Sequence, residues 1–119
     1  MNIKELMLIQ NRFDREHGWS IDSNDLSILI NMLHRDLVGM MGELGEFANI
    51  LKKITLVYDK VDIEKSEKMF SELKGKLSEE IIDTFIYLMR IVNHLDINLE
   101  EEYIKKLEFN RKKYKDYER

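Results

Sequence analysis

The feature that most narrows what this chain can fold into is an absence: its 119 residues contain no proline and only five glycines. Sheet folds need frequent turns, and turns draw on these two residues to set backbone angles that others resist. A chain so poor in both is expected to consist of a few long helices. Apolar residues make up 44% and charged residues 35%, which supplies both a core and a soluble surface. At this length the core is a single one, so residues 1–119 are read as one domain. No cysteine is present, so disulfides and thiolate metal sites are excluded and any metal must be held by oxygen or imidazole.

Hydrophobic spacing places the helices. The first is expected from Asn2 to about His17, stopped by Gly18. Ser23 or Asn24 is expected to cap a second helix running to about Lys53. Its stripe of Leu26, Ile30, Leu33, Leu37, Met40, Leu44, Phe47 and Leu51 alternates steps of four and three. Thr55–Val61 is expected to break the chain. Asp62–Leu73 reads as a shorter, more polar helix ending near Gly75, and the purpose of the segment 55–77 is not legible. Ser78 is expected to cap the next helix, whose stripe is Ile81, Phe85, Leu88, Val92 and Leu95. Ile82, Ile86 and Met89 extend its apolar surface beyond what one bundle partner can cover, so another subunit is expected against it. Asn98, with Glu101 three residues on, forms an N-cap pair for the last helix. The stripe of that helix (Leu99, Tyr103, Leu107, Asn110, Tyr114, Tyr117) is interrupted by the amide Asn110.

Met1–Gln10 is short, mixed and followed by charges, unlike a secretory signal. No apolar run approaches the roughly 18 residues that span a bilayer. A cytoplasmic protein without membrane association is expected. The net charge of -4 argues against general nucleic-acid binding, which draws its affinity from neutralising phosphates. The C-terminus is locally basic, through Lys105, Lys106, Arg111, Lys112, Lys113 and Lys115. Such a run is open to two readings, a phosphate-gripping helix or a solvated face.

Two acidic pairs carry the chemistry. Glu43 and Glu46 lie three residues apart on the second helix, so their carboxylates leave from neighbouring positions. Glu80 and Asp83 repeat the spacing on the later helix. If the helices pack antiparallel, the acids converge, and like charges so close call for cations. Hard divalent ions, chiefly Mg²⁺ or Mn²⁺, suit oxygen ligands. Glu80 and Asp83 also share the polar side of their helix with Tyr87, Arg90 and His94, the reading of a plain solvated face. Gly42 and Gly45 each cost about 1 kcal/mol inside a helix, which implies that a backbone or a ligand approaches them.

Glu43-x-x-Glu46 followed by Glu80-x-x-Asp83 resembles the signature of the all-α NTP pyrophosphatases, the MazG-like superfamily. Gly42-Glu-Leu-Gly-Glu-Phe-Ala-Asn49 with Lys52-Lys53, the segment Glu79–Leu88, the closing Lys106-x-x-x-Asn110-x-x-Lys113-Tyr114, and the opening Asn11-Arg-Phe13 and His17-Gly-Trp19 extend the resemblance over nearly the whole chain. Two departures stand out: 33 residues separate Glu46 from Glu80, more than in compact members, and the closing element lacks its usual proline. The resemblance implies an all-α fold, a four- to five-helix bundle assembled as a homodimer or homotetramer. It further implies Mg²⁺-dependent hydrolysis of an NTP or dNTP to the monophosphate and pyrophosphate, with Mn²⁺ as a possible substitute. Glu43, Glu46, Glu80 and Asp83 would bind metal, with Glu46 also the general base. Lys106, Asn110 and Lys113, assisted by Asn49 and Lys53, would grip phosphates. Trp19, Phe13 and His17 are candidates to stack on the base. Rival readings are a dUTPase-like or phosphoribosyl-ATP pyrophosphohydrolase on the same fold, or a helical interaction module without activity. A di-iron bundle would require E-x-x-H pairs, which neither acidic pair supplies.

Overall fold

Side-chain caps decide where the helices begin. Asn2, Asp25, Asp62 and Asn98 each accept a hydrogen bond from a backbone N–H two or three residues on, at 2.9–3.1 Å, satisfying donors that a first turn leaves free. The computed structural model describes residues 1–60 and 62–117. Its elements are α1 (Ile3–Glu16), α2 (Leu26–Asp59), α3 (Ile63–His94) and α4 (Leu99–Lys113), closed by a 3₁₀ turn at Lys115–Tyr117. No strand occurs among the described residues, so the chain is all-helical. None of these helices is long and apolar enough to cross a membrane.

The starts of α1 and α4 fall where the sequence places them, and Gly18 ends α1 at a positive φ of 72°. The cap of α2 is Asp25 rather than Ser23 or Asn24. Its carboxylate binds both the N–H and the hydroxyl of Ser27, the hydroxyl first, and these hold it below the usual aspartate range. Ser23 instead receives the N–H of Asp25. The expected break at Thr55 does not occur. Thr55 returns its hydroxyl to the Leu51 carbonyl within the helix, and α2 runs on to Asp59; Val61, the end of that expected break, lies outside the described residues. Nor does the chain stop at Gly75 or restart at Ser78: α3 is one helix of 32 residues. A mid-helix glycine costs only about 1 kcal/mol, and packing of the neighbouring buried Leu77 and half-buried Leu73 outweighs it. Residues 55–60 and 63–77 therefore form the far end of one long antiparallel hairpin.

α2 and α3 pack along their length, while α1 lies on α3. Met7, Met89 and Val92 are buried there, with Ile3, Phe85, Ile86 and Leu99 packed around them. Asn93 Nδ2 donates to the Met7 carbonyl at 3.1 Å and fixes the register. The expected bundle is not closed within one chain. The radius of gyration is 18.7 Å, against about 13.5 Å for a compact domain of this length.

The regular stripe on α2 is only partly covered: Leu33, Met40 and Phe47 are half-buried, whereas Leu26, Ile30, Leu37, Leu44 and Leu51 are exposed. One stretch of the seam is polar, formed by Asp36 and Glu43 opposite Glu80, Tyr87, Arg90 and His94. The polar side of α3, readable as a solvated face, is thus the side turned toward α2. The close approach sits at Gly39, where a Cβ would overlap the Tyr87 ring, and not at Gly42 or Gly45, where a Cβ would meet nothing.

Candidate metal and nucleotide site

Helical spacing on two antiparallel helices brings three acids together. Glu43 and Glu46 leave α2 one turn apart, Glu80 leaves α3 opposite them, and one carboxylate oxygen from each lies within 4.8 Å of the others. Glu43 and Glu80 are half-buried and Glu46 is exposed. Oxygen Oε2 of Glu80 is shut off from water and has no hydrogen-bond partner. An acceptor left without a partner is disfavoured, so the arrangement is one that a ligand could complete.

The electrostatics agree. Glu46 holds its proton above the usual glutamate range, first because of its hydrogen bond with Glu80 and then because of that neighbour's charge. Glu80 is raised in turn, chiefly by Glu43. Asp83 stands outside this tight trio but adds its charge to the rise at Glu46. An all-oxygen, all-anionic donor set with an orphaned oxygen fits a hard divalent cation such as Mg²⁺ or Mn²⁺. It does not discriminate between them.

Beside the acids runs a groove of about 510 Å³ lined by Phe13, Trp19, Tyr87 and Arg90 together with Glu43 and Asp83, a size within the range of small-ligand pockets. The turn after α1 builds its aromatic wall. Trp19 N–H donates to the Asp14 carbonyl at 2.8 Å, which sets the indole against His17 with ring centroids 4.8 Å apart and edge-on to Phe13 at 5.7 Å. Phe13, His17 and Trp19 thus form one cluster, of which Phe13 and Trp19 line the groove and His17 does not. Its Nδ1 pairs with the Phe13 carbonyl at 2.7 Å, closing the helix end.

Sequence reading missed a second cluster along the seam. Arg90 Nε donates to Asp14 at 2.9 Å, and its guanidinium lies 4.7 Å from the Trp19 ring centre and 5.0 Å from that of Tyr87. Gln10 Nε2 also donates to Asp14, at 2.8 Å. Asp36 accepts from His94 Nε2 at 2.6 Å and has Arg90 Nη1 at 3.8 Å. A carboxylate without a proton only accepts, so the hydrogen sits on Nε2 of His94. Asp14 is 1% exposed. Arg90 and Asp14 are 76 residues apart, and such long-range pairing leaves no local spacing to read.

The proposed phosphate ligands on α4 are not brought to the acids. Helix α4 packs on α1, and Lys106 and Lys113 rest over the rings of their own neighbours Phe109 and Tyr114. The α4 stripe is not a buried one: Tyr103, Leu107 and Tyr114 are exposed and Asn110 is half-buried, so the amide does not interrupt a core. Asn49 and Lys53 are exposed one and two turns beyond Glu46 on α2. Comparison with protein-family profiles, curated proteins and solved structures gives no match to this chain.

Proposed function

We propose that the chain is a Mg²⁺-dependent nucleoside triphosphate pyrophosphohydrolase of the MazG-like kind, releasing pyrophosphate and a monophosphate from an NTP or dNTP. One observation carries this reading: three carboxylates from two helices converge, with one oxygen unsatisfied, on the edge of a groove walled by aromatic rings. The acids suit a cation that carries phosphates, and the rings suit a base.

Glu43, Glu46, Glu80 and Asp83 hold the cation in this account. Mg²⁺, when bound, supplies charge neutralisation of the triphosphate and an acidified water. Glu46, the exposed member of the trio, is also the general base of this account: once the repulsion that raises it is relieved by a cation, its carboxylate accepts a proton from the attacking water. Trp19 and Phe13, both part-exposed along the groove, form the aromatic wall against which the base rests in this account. Arg90 serves differently. Its charge is already matched by Asp14 and Asp36, so it holds Trp19 and Tyr87 in place and leaves phosphate binding to other groups. Asn49 and Lys53 stand on the Glu46 side of α2 for that task. Lys106, Asn110 and Lys113 reach phosphates in this account only if α4 meets an acidic cluster other than the one in its own chain.

The test is a panel of canonical and modified NTPs and dNTPs with Mg²⁺ or Mn²⁺, with products resolved by chromatography. Pyrophosphate and monophosphate from at least one nucleotide, abolished by chelator, is the expected result. Orthophosphate as product, or no turnover across the panel with both metals, overturns the reading.

A further inference from the structure

We propose that the nucleotide this chain acts on carries guanine, and that Asp36 and Arg35 on α2 read the edge of that base. The inference rests on the reading of the acidic cluster as the seat of the phosphates, and it adds which base goes with them. Trp19, Tyr87 and Arg90, which line the groove, also wall a second, smaller cavity of about 230 Å³, completed by Met32, Arg35 and Asp36. That is below the roughly 300–1,000 Å³ of pockets that take a whole small ligand. It suits one end of a ligand whose other end lies in the groove. Asp36 precedes Glu43 by seven residues, two turns and about 10 Å along the same face of α2. Phosphates held at Glu43 therefore direct the far edge of a base toward Asp36.

The chemistry at this end is a carboxylate beside a guanidinium. Oδ2 of Asp36 is engaged by His94 Nε2 at 2.6 Å, whereas Oδ1 has Arg90 Nη1 only at 3.8 Å, beyond hydrogen-bond reach. A carboxylate has about four acceptor sites, so this buried one, fixed in place by His94, has capacity left over. Arg35 lines the same cavity, is exposed, and forms no ion pair among the described residues. Guanine answers both groups at once. Its N1–H and 2-amino group donate side by side to a carboxylate, and the adjoining O6 accepts from an arginine, a common reader of that oxygen. Adenine and cytosine bring an amino group but no ring N–H beside it. Uracil and thymine set their ring N–H between two carbonyl oxygens, one of which faces the carboxylate without a proton to share. A site that leaves its buried acceptor unpaired rejects such bases.

Trp19 is the only tryptophan and borders both cavities, so its fluorescence reports occupancy whether or not a nucleotide is cut. The full chain with Mg²⁺ is titrated with the α,β-methylene triphosphates of guanosine, inosine, xanthosine, adenosine, cytidine and uridine, which water cannot cleave at that link. In parallel, kcat/KM is measured for the natural triphosphates. The guanosine compound should bind at least about tenfold more tightly than those of adenosine, cytidine and uridine, the scale of a paired base contact. Inosine, which lacks the 2-amino group, should fall between. Arg35→Ala changes an exposed side chain and should remove most of the preference while leaving the melting temperature unchanged. Asp36→Asn should shift the preference toward xanthosine, whose 2-oxygen meets the new amide N–H. Equal affinity for all six, a preference for another base, or no response of Trp19 to any of them overturns the proposal, as does a guanine preference untouched by Arg35→Ala. Guanine-selective binding without turnover of any triphosphate would uphold the base assignment and overturn the hydrolase reading; turnover indifferent to the base would do the reverse.

Discussion

Two polar clusters lie along the same seam, about two to three helical turns apart, and they differ in how their charges are balanced. Around Arg90, two carboxylates meet a guanidinium and an imidazole: Asp14 and Asp36 are both engaged, at 2.9 Å by Arg90 and 2.6 Å by His94. Around Glu80, three carboxylates meet no cation at all among the described residues, and each raised carboxyl is raised by its neighbours. The buried Nδ1 of His94 has no hydrogen-bond partner either, as Oε2 of Glu80 has none, so what separates the two clusters is charge balance and not completeness. A polar group deep in a fold is ordinary once its partners are present. A like-charged group without partners stores repulsion that the fold tolerates for a reason outside itself. The first cluster ties α1, α2 and α3 together, and the second is the one we propose as the place for a cation.

The largest effect should come from breaking the balanced cluster. Arg90→Leu leaves Asp14 buried without its cation and should cost about 3–5 kcal/mol of stability, read by denaturant unfolding. A loss below about 1 kcal/mol would put Arg90 among weakly coupled surface charges. Next in size is the loss of turnover in the acidic cluster. Glu46→Gln and Asp83→Asn should each slow pyrophosphate release by at least about a hundredfold, the scale of losing cation placement or a general base. Asp83 is the sharper case, because it stands outside the tight trio; a near-normal rate in Asp83→Asn with a dead Glu46→Gln would confine the site to Glu43, Glu46 and Glu80.

One side of this contrast, the acidic cluster, was legible in the sequence, and the limits of that reading are physical. The spacing of Glu43 with Glu46 and of Glu80 with Asp83 was enough to expect convergence, because an antiparallel hairpin brings such pairs face to face. Helix starts were legible at Asn2 and Asn98, where a cap side chain precedes an apolar period. The restart at Ser78 was misread because a cap signal is worth only about 1 kcal/mol and Leu73 and Leu77 pack on through it. Periodicity also separates two faces without saying which one meets the neighbouring helix. The Leu26–Leu51 stripe is only partly covered, with five of its eight residues exposed, and the polar face of α3 points toward α2. The pairings of Asp14 and Asp36 with Arg90 and His94 join residues distant in the chain, and no spacing announces them.

The smallest effect is a dependence on pH. Because Glu46 and Glu80 are raised by neighbouring carboxyls, the folded chain free of cation keeps protons there that the unfolded chain has already released. Their contribution to stability is fully present below the ordinary glutamate pKa and is lost as pH rises through the raised values. Asp25 has the opposite sign: its lowered pKa adds stability above the ordinary aspartate range, lost as pH falls. In chelator, wild type should therefore lose stability relative to Glu46→Gln as pH climbs past the glutamate range. Parallel stability curves for the two proteins would show that the acids do not interact.

The central claim, that Glu43, Glu46 and Glu80 form a cation site and not a solvated face, is tested most directly by thermal melting of wild type and Glu46→Gln, each in chelator and in millimolar Mg²⁺. In chelator the variant should melt higher, because one repelling charge is gone while the shape is kept. Mg²⁺ should raise wild type by mass action and raise the variant less. Equal melting temperatures in all four conditions would contradict the account and leave the acids as a surface feature of a helical interaction protein.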